Sequence, residues 1–127
     1  MEAMALVTIL ALLQFMYFSV QVGQMRMKHG VKAPATIGDV EFERVFRVQQ
    51  NTMEQLVVFL PAMWVFGSFF SPLVAAALGA VFVIGRFDYS ASYREDPANR
   101  GRGFTTGVIA IFALLLGGLV GAVMNLF

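Results

Sequence analysis

The chain has 127 residues, enough for one modest domain, and 58% of them are hydrophobic while only 13% are charged. A soluble domain carries about a quarter charged residues, so this composition excludes a water-exposed globule and a disordered tail. The net charge of +1 argues against a nucleic-acid binder, because such proteins are usually strongly basic. A mean hydropathy of +0.73 indicates a protein that lies in a lipid bilayer.

The chain contains no cysteine and one histidine, His29. Disulfides, thiolate metal sites and cysteine nucleophiles are therefore excluded. A single histidine also excludes most histidine-based metal sites. We expect no metal cofactor. We interpret His29 as an ordinary loop residue and the eight methionines as flexible packing, because they are scattered along the chain and form no tract.

Long runs without charge predict the membrane spans, since crossing a bilayer takes about 20 mostly apolar residues. Three such runs cover residues 3–25, 55–85 and 103–127, and the middle one is too long for a single span. Ser71-Pro72 divides it, because proline lacks the backbone N–H that a continuous helix needs.

Asp39 can cap a helix N-terminus, and Glu41 and Glu43 favour its first turn, so the second helix begins before its apolar run. The first run lacks the basic start of a signal peptide, since Glu2 is its only early charge, and we interpret it as a span. The sequence therefore predicts an all-α integral membrane four-helix bundle, a single domain over residues 1–127, with helices at about 3–28, 40–70, 73–95 and 101–126.

The placement of charge predicts the orientation in the membrane. All nine basic residues flank the first and third connections, and the turn between the second and third helices has none. The positive-inside rule then places both charged connections in the cytosol and both termini outside, with Glu2 the only charged residue on that side. The compact chain favours a bacterial inner membrane over the endoplasmic reticulum.

A polar stripe opens the second helix. At about 100° per residue, Arg44, Arg47, Asn51 and Glu54 share one face, while Gln49 points to another helix or to a neighbouring subunit. Polar groups that lead into a bilayer are candidate functional residues. The alternative is a solvated first turn in which Arg47 and Glu54 merely neutralise each other.

A second polar cluster ends the third helix and continues into the third connection. Tyr89 and Tyr93 share a helix face, although tyrosines are also common as anchors at membrane interfaces. Arg100 and Arg102 follow in the connection, and we interpret Arg102 as a positive-inside residue only. The two clusters together predict a site for a small ligand with several carboxylates, because guanidinium groups match carboxylates. The cluster on the third helix comprises Arg86, Asp88, Tyr89, Tyr93 and Arg94.

These residues resemble a known family, the membrane-associated proteins in eicosanoid and glutathione metabolism (MAPEG). The segment Phe42–Asn51, FERVFRVQQN, is similar to the family signature F-E-R-V-[YF]-R-x-Q-x-N, and Glu54 follows at the family's spacing. The end of the first helix at Tyr17–Val22 and the pattern Gly85-Arg86, Tyr89, Tyr93 and Arg100 extend the resemblance over residues 14 to 103.

The resemblance implies a homotrimer that binds glutathione as co-substrate between neighbouring subunits, near the cytosolic face. It implies that Arg100 stabilises the glutathione thiolate. The matching glutathione-binding positions are Arg47, Asn51, Glu54, Tyr89 and Tyr93 from one subunit, with Arg26 and Gln49 from its neighbour.

The implied activity is that of a glutathione transferase or peroxidase acting on lipophilic electrophiles from the bilayer. Met27 and Gln55 replace an arginine and a tyrosine that leukotriene-C synthase has, which favours a generic transferase over the eicosanoid reaction. The alternative within the family is a non-catalytic lipid-binding scaffold. A small cation exporter is disfavoured, because the first and last helices carry no internal charge.

Overall fold

The computed structural model describes all residues from 1 to 127 as a bundle of four long helices. They are α1 (Glu2–His29), α2 (Val40–Phe69), α3 (Pro72–Glu95) and α4 (Gly101–Leu126), and a short 3₁₀ turn at Pro97–Asn99 precedes α4. The all-α prediction is confirmed, and every predicted helix bound lies within one residue of the observed one.

Side-chain caps set the two helix starts that the sequence predicts. The Asp39 carboxylate accepts a hydrogen bond from the Phe42 backbone N–H at 3.1 Å, and the Ser71 hydroxyl accepts one from Val74 N–H at 3.2 Å. Pro72 is the first residue of α3, where its missing N–H would have no helical partner in any case. The long apolar run is therefore divided into two spans that form a tight hairpin.

We expect Asp39→Ala to destabilise the protein by about 1 kcal/mol, because the substitution removes the N-cap of α2. Asp39→Asn is the matched control, since its amide oxygen can still accept the hydrogen bond from Phe42. Thermal unfolding in detergent micelles measures both variants. An asparagine variant as unstable as the alanine variant would show that the charge of Asp39, not the cap, is what stabilises this end.

All four helices are long and apolar enough to cross a membrane. Their inner faces form a main buried cluster, in which the rings of Phe59 and Phe82 stack with centroids 4.0 Å apart. Their outer faces expose large apolar side chains such as Leu6, Ile109 and Leu116. Apolar surface on both faces is expected of helices whose surroundings are lipid.

The backbones of α3 and α4 lie very close together where α4 begins. A Cβ atom at Gly103 would lie 2.7 Å from the Cα of Tyr89 and 2.8 Å from the carbonyl oxygen of Gly85. Only glycine permits this approach of one backbone to another. The contact places the start of α4 directly beside the turn of α3 that carries Tyr89.

His29 differs from the sequence interpretation, because it is the last residue of α1 and not a loop residue. Its Nδ1 lies 3.3 Å from an Asp39 carboxylate oxygen, and the neighbouring Lys28 pairs with Glu41 at 3.2 Å. Polar contacts thus join the end of α1 to the start of α2. The composition of the connecting segment does not predict these contacts.

Candidate substrate-binding site

A cavity of about 590 Å³ opens among α2, α3 and the start of α4. It joins the polar stripe of the second helix to the tyrosine cluster of the third, and five of the eight predicted site residues line it. The lining residues are Arg47, Asn51, Tyr89, Tyr93, Arg100, Gly101 and Phe104.

The α2 wall carries both a paired charge and an unpaired acceptor. Arg47 Nη1 lies 3.2 Å from Glu54 Oε1. Glu54 does not line the cavity itself, but this ion pair positions Arg47, which does. Asn51 is buried, and its Oδ1 has no hydrogen-bond partner. A buried acceptor without a donor is costly, and a ligand N–H in the cavity would satisfy it. The Arg47–Glu54 pair is present as the self-neutralising alternative expects, and that alternative leaves the unpartnered acceptor of Asn51 unexplained.

The α3 wall consists of two tyrosine rings whose centroids lie 5.5 Å apart. Tyr89 is only 2% exposed and packs against Phe18 and Val48 inside the bundle. An interfacial anchor would present its ring to the lipid headgroups. The burial of Tyr89 in the cavity wall excludes that alternative for this residue.

The third wall is the turn before α4, which brings Arg100 to the cavity. The Asp96 carboxylate caps the 3₁₀ turn by accepting from Ala98 N–H at 3.0 Å, and Arg100 Nη1 donates to the Pro97 carbonyl at 3.1 Å. Arg100 remains exposed, so its guanidinium keeps further N–H donors for a ligand.

Arg102 points away from the cavity and forms a two-pronged ion pair with Asp88, with distances of 2.8 Å and 2.7 Å. Its interpretation as a positive-inside residue only is therefore incomplete. The pair ties the first turn of α4 to α3 and offsets a cation at a helix N-terminus, where the helix dipole is unfavourable.

Arg26 and Gln49 do not line the cavity within one chain. Arg26 donates to the Ala35 carbonyl at 2.8 Å and its guanidinium carbon lies 4.7 Å from the centre of the Phe42 ring. Gln49 donates to the Ser19 hydroxyl at 3.1 Å, which confirms that it meets a different helix, α1. A contribution of either residue to the cavity of a neighbouring subunit stays a prediction.

Comparison with known proteins decides the family. The MAPEG family model matches residues 4–120, a wider span than the predicted resemblance. The chain belongs to the MAPEG family. With four helices able to cross a membrane, it is an integral membrane protein.

Relatives of this MAPEG chain occur in bacteria and mammals. An uncharacterized protein of Synechocystis is 42% identical over 122 residues, which are 96% of this chain and 89% of that protein. Human microsomal glutathione S-transferase 2 is 41% identical over 114 residues, 88% of this chain and 78% of its own. Rat leukotriene C4 synthase is 42% identical over 100 residues, covering 74% and 67% respectively.

Arg86 belongs to the predicted polar cluster of the third helix, but no role in this MAPEG site is predicted for it from the sequence. It is only 1% exposed, its Nη2 donates to the Thr52 hydroxyl at 2.8 Å, and its guanidinium carbon lies 4.1 Å from the centre of the Tyr89 ring. Because Arg86 was grouped with the charges around the third connection, its burial inside the bundle was not predicted. Its spacing from Tyr89 and Tyr93, which puts all three on one face of α3, is the signal that could have found it.

Proposed function

We propose that this protein is a membrane glutathione transferase that joins the thiol of glutathione to lipophilic electrophiles. The observation that carries the proposal is the single cavity that gathers Arg47, Asn51, Tyr89, Tyr93 and Arg100. The names of the relatives, a microsomal glutathione S-transferase and a leukotriene C4 synthase, support the same chemistry.

The charges of the cavity suit glutathione, which has two carboxylates, one ammonium group, two peptide groups and a thiol. Arg47 would bind a carboxylate through its planar fork, and Glu54, which pairs with Arg47 beside the cavity, would bind the ammonium group. Asn51 Oδ1, which has no partner, would accept from a peptide N–H. A homotrimer would add Arg26 and Gln49 from the neighbouring subunit and so complete the site.

Arg100 is proposed to activate the thiol. A free thiol has a pKa near 8.5, and a guanidinium beside the sulfur favours the anion. Lowering the thiol pKa by about two units corresponds to about 2.7 kcal/mol of differential stabilisation. Arginine suits this role because it remains charged throughout the reaction.

The thiolate then attacks an electrophilic carbon that reaches the site from the bilayer. A carbon–sulfur bond forms as the bond to the leaving group breaks, and a halide departs with the electron pair. With a lipid hydroperoxide, the sulfur attacks the terminal oxygen, the O–O bond breaks, and the lipid leaves as an alcohol once its oxygen takes up a proton. The thiol of a second glutathione then attacks the resulting sulfenic acid, and the disulfide forms as water leaves. Conjugation is the primary proposal, and hydroperoxide reduction is a second reaction of the same thiolate.

We propose that the site faces the cytosol, where glutathione is made available to it. Arg47, Tyr93 and Arg100 lie at the end of the bundle that carries the charged connections, and the positive-inside rule places that end in the cytosol. A bacterial inner membrane is favoured over the endoplasmic reticulum.

The proposal is tested with the purified full chain in lipid nanodiscs. Glutathione and chlorodinitrobenzene are expected to give the conjugate, and glutathione alone is expected to give the ultraviolet absorbance of a bound thiolate. S-methylglutathione is the matched control, since it should compete for binding and yield neither signal. Calorimetry that detects no glutathione binding, together with no product, would favour the lipid-binding scaffold. Binding without thiolate or product would refute the catalytic role alone.

A further inference from the structure

Arg86 is a buried positive charge inside a membrane-spanning helix. It lies nine residues before the end of α3, which is about 13 Å along the helix axis. None of the ion pairs in the structure includes Arg86, and its Nε has no hydrogen-bond partner. A charge at such a place is costly to the fold and is therefore a candidate functional group.

The contacts of Arg86 join the two helices that form the cavity walls. Its Nη2 donates to the Thr52 hydroxyl at 2.8 Å, and that hydroxyl donates in turn to the Val48 carbonyl at 2.7 Å. Thr52 directly follows Asn51, which lines the cavity. The hydrogen bonds hold the guanidinium in one orientation behind the cavity wall.

The guanidinium faces the ring of Tyr89, with its carbon 4.1 Å from the ring centre. A cation over an aromatic face is attracted by the negative charge of that face, and more strongly where water is excluded. The attraction draws electron density from the ring, so the phenol O–H becomes a stronger donor towards an anion. Tyr89 is the only residue that both contacts Arg86 in this way and lines the cavity.

We propose that Arg86 is a positioning residue for the transferase reaction, acting through Tyr89 to orient its ring and to strengthen the hydrogen bond that its hydroxyl donates to the bound thiolate. This inference rests on the proposed function. A purely structural Arg86 would be replaceable by an apolar side chain of similar length with no effect on the ligand, because such replacements of buried charges are often neutral or stabilising.

The test measures the pH dependence of the thiolate absorbance of bound glutathione in four proteins: wild type, Arg86→Met, Tyr89→Phe and the double variant. Arg86→Met is expected to raise the apparent pKa of the bound thiol by about one unit, a tenfold change in the thiol–thiolate equilibrium. In the Tyr89→Phe background the same substitution is expected to cause no further shift. Arg86→Lys retains the charge and is expected to give an intermediate value.

Ile84→Met is the matched control, since Ile84 is an exposed residue of the same helix and is expected to leave the titration unchanged. An unchanged titration in Arg86→Met overturns the inference, and so does an equal shift in the Tyr89→Phe background. If Arg86→Met fails to fold, Thr52→Val decides, because it removes the acceptor that orients the guanidinium and should shift the titration in the same direction. Absence of thiolate in the wild type would refute the proposed function instead.

Discussion

Replacing Arg100 by alanine is expected to lower the kcat for conjugation by about 10²- to 10³-fold, the usual effect of removing a group that stabilises developing charge. Arg100 lines the cavity, and the only hydrogen bond of its side chain within the chain is to the Pro97 carbonyl. The affinity for glutathione should change much less than kcat, because Arg47 and Asn51 remain. Steady-state kinetics, glutathione calorimetry and thiolate absorbance measure the three quantities separately.

The matched control is Arg102→Ala, which removes an arginine two residues away that points out of the cavity to Asp88. It is expected to keep the wild-type thiolate absorbance. Equal losses in the Arg100 and Arg102 variants would show a general effect of positive charge in this turn and would contradict a specific role for Arg100. A change in KM alone in Arg100→Ala would make it a binding residue.

Replacing Gly103 by alanine is expected to separate the start of α4 from α3. The added Cβ would meet the Tyr89 Cα at 2.7 Å and the Gly85 carbonyl oxygen at 2.8 Å, and these backbone atoms cannot turn aside as a side chain can. Overpacking of this kind costs about 1–3 kcal/mol. Activity should fall as well, because the shift moves Arg100 relative to Tyr89.

Gly107→Ala provides the comparison, since its added Cβ would lie at an ordinary contact distance of 3.6 Å from the Phe82 ring. We expect wild-type stability and activity from that variant. Thermal unfolding and conjugation kinetics of the two variants test the prediction together. If Gly103→Ala unfolds and reacts like the wild type, the two helices can separate there without consequence and the contact does not position Arg100.

The spans and their bounds could be predicted from the sequence because local signals determine them. Charge-free length gives the spans, Ser71-Pro72 divides the middle one, and Asp39 begins α2. Helical periodicity also places Arg47 and Asn51 on one face. A helical wheel does not tell which helix packs against that face, so the meeting of this stripe with Tyr89 follows only from the fold.

The parts of the site that the sequence did not predict depend on contacts between distant residues. In the sequence, Arg86 is one more charge near a connection, and only the fold shows that it contacts Thr52 and the Tyr89 ring. The pair of Arg102 with Asp88 depends in the same way on the packing of α4 against α3. The predicted roles of Arg26 and Gln49 concern contacts between subunits, beyond what one chain can display.

The close approach of Gly103 to Tyr89 also bears on how the substrate range of such an enzyme can change. Tyr89 lines the cavity, and its main chain packs directly against that of Gly103, so a larger residue at position 103 would alter the cavity only by shifting α4 as a whole. We therefore expect adaptation to bulkier or smaller ligands to occur at other lining positions. Phe104, an exposed ring in the first turn of α4, is one of these lining positions, and we expect its exchange to change which ligands the cavity accepts.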